Sequence, residues 1–138
     1  EQHTSLPPAI IQRLVRDKLH LVELSHARDY YPSQLSGGMR KRAALARAIA
    51  LDPQLLFGDE PSAGLDPVTA ASLDKLFFKL RDQLDITLVI VTHEVESIKR
   101  IADRIIFLDD GHVLFQGPLK DALSASHPAI QQFFNSSS

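Results

Sequence analysis

The sequence predicts an α/β chain, with a mainly parallel sheet, helices against it and a late antiparallel hairpin. Three observations predict it. Two apolar runs of strand length, Gln54 to Asp59 and Ile86 to Thr92, lie either side of a segment with helical periodicity. A strand that returns parallel to its predecessor needs such a crossover. Further on, Arg104 to Leu108 and His112 to Phe115 flank Asp110-Gly111, a pair suited to a two-residue hairpin turn.

Taken in order, the elements begin at Leu6-Pro7-Pro8, prolines fit for a helix's first turn. Ile10, Ile11, Leu14, Val15, Leu21 and Val22 then recur at roughly helical spacing, which predicts a helix from Pro8 to Glu23. Ser25 to Leu35, with Tyr30-Tyr31-Pro32, breaks that pattern and predicts a loop. Ser36-Gly37-Gly38 opens a second, alanine-rich helix that ends near Ala50. The two apolar runs have the length of buried strands. Between them, Asp66 is an N-cap candidate with Pro67 at the first helical position. Leu73, Leu76, Phe77, Leu80 and Leu84 form one apolar stripe. A short helix is expected from Glu94 to Ala102, and two more near Lys120 and after Pro128. There is no internal repeat, and Ser136 to Ser138 reads as a mobile tail.

Composition narrows the function. With 138 residues, 44% of them hydrophobic, the chain can supply a core, so disorder throughout is excluded. Its 15 basic and 17 acidic residues leave a formal charge of −2, which gives no broad positive field for nucleic acid or an anionic membrane. The absence of cysteine removes disulfides and thiol chemistry and suits the cytosol. No apolar run approaches the roughly 20 residues of a membrane-spanning helix. The first ten residues, EQHTSLPPAI, lack the regions of a signal peptide. Any link to a membrane is therefore expected to be by docking.

Four segments carry candidate chemistry. Leu35-Ser36-Gly37-Gly38-Met39 puts a hydroxyl and two glycines at a helix start, where unsatisfied N–H groups and the positive end of the dipole favour a phosphate. An ordinary capped helix accounts for the same residues. Asp59 and Glu60 end an apolar strand, where alternation sends neighbouring side chains to opposite faces. One carboxylate can serve magnesium while the other polarises water, the two roles that phosphoryl transfer requires. Alone, the pair also reads as an acidic turn. Ser62 to Pro67 is a turn into a capped helix. His93 stands at the C-terminal end of a strand, the edge where parallel sheets bind ligands, and a structural histidine would sit there equally well. His93 to Ser97 lacks the second histidine of a zinc-binding HExxH helix.

The order and spacing of these segments resemble the C-terminal half of ABC ATPases over nearly the whole chain. The resemblance implies a partial P-loop NTPase fold, with a helical-subdomain arm and signature helix over 1–52 and the C-terminal part of the ATPase core over 53–134. The flexible tail is then 135–138. It implies that Leu35, Ser36, Gly37, Gly38 and Met39 form the signature, which meets ATP held by a second nucleotide-binding domain. Asp59 becomes the Walker B aspartate that supports Mg2+ through water, and Glu60 the catalytic glutamate. Ala63, Gly64, Leu65 and Asp66 become the D-loop, and His93 the switch histidine at the γ-phosphate. Met39, the run from Gly38 to Pro53 and the ending from His127 to Phe134 are similar to the Mce/Mla-type ATPases of bacterial phospholipid transport. Gly58 departs from the family, which places a bulky apolar residue there.

The six glycines, at 37, 38, 58, 64, 111 and 117, cannot make a GxxxxGK[ST] P-loop. The resemblance implies that this element and its strand are missing, that they lie upstream of Glu1 on the same gene product, and that this chain alone is inactive. A second polypeptide completing a split domain is the alternative. The family's sheet order further implies that Ile86 to Thr92 and Arg104 to Leu108 are not neighbours. The expected partners are a second such domain and membrane permease subunits, with no nucleic acid, on the inner face of the membrane. A soluble ABC ATPase of DNA repair or translation and a non-enzymatic interaction module stay open.

Overall fold

The computed structural model describes residues 5–135, which form two compact units divided between Val91 and Thr92. The serines of the expected tail lie outside the described residues.

In the first unit, α1 (Pro8–Leu21) starts at the two prolines, and α2 (Gly37–Ala48) starts at Ser36. The segment between them, expected as a loop, contains two short 3-10 turns, Ser25–Ala27 and Pro32–Gln34. Pro32 sets the φ of the second turn, and the Gln34 side chain accepts the Tyr31 N–H at 2.7 Å. Strand β1 (Leu55–Asp59), helix α3 (Pro67–Leu84) and strand β2 (Thr87–Val91) follow. β1 and β2 pair in parallel from Leu55 opposite Thr87 to Asp59 opposite Val91.

The core of this unit forms because α3 repeats apolar residues one turn apart. Leu73, Leu76, Phe77 and Leu80 are buried, with Leu80 at 0% exposure, against Val22, Leu24, Leu45, Ile49 and Leu56. Each such side chain contributes about 1.5 to 3 kcal/mol. Leu84, the last residue of the stripe, is only partly buried. α3 ends at Asp85, whose left-handed φ of 51° lets the chain turn directly into Ile86.

The strands depart from the burial expected of them. Leu56, Leu88 and Ile90 pack into the core, but Leu55, Phe57, Val89 and Val91 on the opposite side of the pleat are exposed, Phe57 at 70%. Helices of this unit cover one face of the two-stranded sheet, so alternate residues are buried rather than all of them.

The second unit contains α4 (Val95–Ile101), β3 (Arg104–Asp109), β4 (His112–Pro118), α5 (Leu119–Leu123) and α6 (Pro128–Asn135). β3 and β4 are antiparallel, and Asp110 and Gly111 turn the chain with φ of 46° and 73°, the doubly left-handed conformation of a type I′ turn. Val95, Ala122, Ile130 and Phe134 form its core, and Phe133 meets Phe107 edge-on with ring centroids 5.3 Å apart. Among the described residues β2 pairs only with β1 and β3 only with β4.

Candidate phosphate-facing site

Ser36 has extended backbone and its Oγ accepts the Met39 N–H at 3.2 Å, capping α2. Ser36 and Gly37 are exposed at the start of this 12-residue helix, whereas Leu35 and Met39 pack onto the core. The helix end is thus anchored by its two apolar residues and presents its serine and first glycine. Gly38 has a packing reason of its own. A Cβ there would come 2.7 Å from Thr69 Cγ2, so only glycine lets the first turn of α2 lie against the first turn of α3. A Cβ on Gly37 would sit 3.5 Å from Leu65 Cδ2, an ordinary contact. Gly37 and Leu65 therefore lie side by side within one unit.

Ala63 and Gly64 are exposed at the tip of the turn after β1, with Gly64 at φ 77°. Asp66 caps α3, its Oδ1 accepting the Val68 and Thr69 N–H groups at 3.0 Å each and its Oδ2 the Thr69 hydroxyl at 2.5 Å. The Thr69 hydroxyl, and then the backbone donors, hold the Asp66 carboxyl below the usual aspartate range. Ser62 is 4% exposed, and its Oγ has no hydrogen-bond partner among the described residues.

Asp59 closes β1 opposite Val91 with its side chain exposed, while Glu60 is half-buried. Glu60 has a left-handed φ of 44°, a conformation uncommon outside glycine, asparagine and aspartate. Its N–H donates to the Val91 carbonyl at 2.8 Å, and its own carbonyl accepts the Ala63 N–H at 3.2 Å. Strand end and turn thus fix the residue from both sides. Among the described residues no three carboxylates or histidines group as a metal site. One exposed carboxylate still fits magnesium, which keeps several waters and binds through one or two carboxylates plus substrate phosphate oxygens.

His93 belongs to the second unit, two residues beyond β2, and its ring is exposed. Its Nε2 lies 3.7 Å from a Glu94 carboxylate oxygen, and the Glu94 N–H donates to Thr92 Oγ1 at 3.1 Å. The first unit holds Leu35 to Met39, Asp59, Glu60 and Ala63 to Asp66, with Leu65 beside Gly37 and Lys41 of the same helix reaching the Glu60 carbonyl.

The ABC transporter family model matches residues 9–63, from α1 to the turn after β1. The solved structure of cbiO1 from Clostridium perfringens, part of the ABC transporter complex cbiONQ, superimposes with a TM-score of 0.83 at 28% identity. It covers 97% of this chain and 53% of that one. The chain has the fold of an ABC transporter ATPase domain. The probable ribonucleotide transport ATP-binding protein mkl of Mycobacterium leprae is 41% identical over 134 residues, which are 97% of this chain and 39% of that protein. MlaF, the intermembrane phospholipid transport system ATP-binding protein of Haemophilus influenzae, is 40% identical over 137 residues, 99% of this chain and 52% of that protein. The chain thus spans about half or less of these relatives' length. The two bear different transport names at nearly equal identity, so similarity alone singles out no cargo.

Lys41 and Arg42, which as part of a basic run read as solvated in an ordinary capped helix, have partners in the fold. Arg42 donates to the Val22 carbonyl at 3.2 Å, to the Glu23 carboxylate at 2.6 Å and to Ser72 Oγ at 2.8 Å, joining the end of α1 to α2 and α3. Glu23 stands at φ 61°, and chiefly the Arg42 hydrogen bond lowers its pKa. Lys41 reaches the Glu60 carbonyl at 3.4 Å. Nothing in the run of basic residues distinguishes these two from solvated neighbours, because their partners lie 19 to 30 residues away in the sequence.

Proposed function

We propose that this chain is the signature and Walker B part of an ATP-hydrolysing subunit of an ABC transporter, and that the cargo is a lipid or phospholipid. The observation that carries the ATPase reading is Glu60. A half-buried carboxylate residue is fixed at left-handed φ beside an exposed Asp59, on the unit that also presents the capped signature helix. The similarity to MlaF and the residues around Met39 support the lipid reading.

In this account two such domains enclose ATP, with the phosphate-gripping P-loop of one facing the signature of the other. Ser36 and Gly38 meet the γ-phosphate across the dimer, using the free N–H groups and positive dipole end of α2. Leu35 and Met39 anchor that helix end, and Gly37 leaves the approach open. Asp59 would hold Mg2+, through water, and the ion when bound would supply positive charge at the phosphate oxygens. Glu60 accepts a proton from the attacking water, and His93 contacts the γ-phosphate. Ala63 to Asp66 carries the state of one site towards the other. Permease subunits on the inner side of the membrane receive the motion. None of the described helices is long and apolar enough to cross a membrane.

Mixed dimers test this arrangement. One protomer carries Ser36→Arg, which fills the helix end, and the other a disabled P-loop, so both defects fall in one composite site. ATP occupancy of half the sites is expected, and occupancy of both or neither contradicts the proposal.

A further inference from the structure

We infer that Lys41 is a positioning residue for Glu60, tying the backbone of the water-activating residue to the signature helix of the same chain; this rests on the assignment of Glu60 proposed above. Lys41 lies on α2 two residues after Met39, half-buried, with its Nζ 3.4 Å from the Glu60 carbonyl oxygen. That carbonyl already accepts the Ala63 N–H at 3.2 Å, so the ammonium is a second, charged donor on one oxygen.

The ties to Val91 and Ala63 come from the neighbouring strand β2 and from the turn after Glu60. Lys41 adds a tie to helix α2. Left-handed backbone at a residue other than glycine persists only where its surroundings over-determine it, and such strain concentrates at functional sites. A change of φ at Glu60 swings its Cα–Cβ bond and with it the carboxylate. Misplacement of a reacting group by about 1 Å costs up to 100-fold in rate. The same helix presents Ser36 to the opposite nucleotide, so a shift of α2 would be felt at Glu60 through Lys41. The side chain therefore links the two composite sites within one protomer.

The test is Lys41→Met, which keeps the apolar stem and removes the donor, assayed in the ATP-hydrolysing assembly. A fall in kcat of about 10-fold with unchanged KM for ATP and unchanged Tm is expected, with recovery in Lys41→Arg. Native-state hydrogen exchange at the Ala63 amide, which shares the Glu60 carbonyl, should accelerate in Lys41→Met. Wild-type kcat with wild-type Ala63 exchange overturns the inference, as does a lowered Tm with kcat per folded molecule unchanged. Glu60→Gln is assayed alongside. Its retention of turnover removes the assignment of Glu60 and the inference with it. An inactive Glu60→Gln beside a fully active Lys41→Met removes the inference alone.

Discussion

Gly38 and Thr69 meet so closely that a single methyl on the glycine would stand 2.7 Å from the threonine Cγ2. Thr69 cannot swing away freely, because its hydroxyl donates to Asp66 Oδ2 at 2.5 Å. Gly38→Ala should therefore destabilise the chain by about 1 to 3 kcal/mol, the usual range for overpacking. Thr69→Ser keeps the hydroxyl and deletes the methyl, so the double variant should regain most of that loss. Urea unfolding of the four proteins checks this, and strictly additive effects would show that the contact does not control the site.

Gly58 behaves oppositely. A Cβ there would lie 3.7 Å from both Ile90 Cγ1 and Pro61 Cγ, in ordinary contact, and the backbone is not left-handed. Gly58→Ala should raise stability by about 0.4 to 1 kcal/mol, by restricting the unfolded chain and adding a packed methyl. A higher urea midpoint at unchanged slope would be the expected signature. Loss of stability would mean that β1 needs its glycine.

Much of this was legible in the sequence because the determinants are local. Asp66-Pro67 predicts its capped helix, Asp110-Gly111 its turn, and the spacing from Leu73 to Leu80 the buried stripe; each needs only a few adjacent residues. The order of Ser36, Asp59, Glu60 and His93 likewise carries the family. Left-handed Glu60, and the hold of Lys41 and Arg42 on distant carbonyls and carboxylates, depend on how α2 lies against β1 and α1. That is a tertiary relationship with no local signal. The strand runs misled for a related reason, since an apolar strand reads as buried whether one face is covered or two.

Asp66 and Glu23 make stability depend on pH. Both carboxyls are held below their ordinary range when folded, Asp66 first by the Thr69 hydroxyl and Glu23 first by Arg42. A lowered folded pKa contributes stability that is present above the unfolded value and lost as pH falls through the folded one. The urea midpoint should hold above about pH 5 and decline below about pH 4. Asp66→Asn retains an acceptor for the cap but does not titrate, so its decline should be shallower. An identical acid profile in that variant would contradict the role given to the Asp66 charge.

Glu60 is the residue on which the chemical account turns, and one substitution at it is the most direct measurement. In the ATP-hydrolysing assembly, Glu60→Gln retains the shape of the side chain but cannot accept the water's proton. Turnover should fall by about 100-fold or more while ATP still binds and the closed dimer accumulates. Steady-state ATP hydrolysis close to wild type in the Glu60→Gln protein would contradict the account.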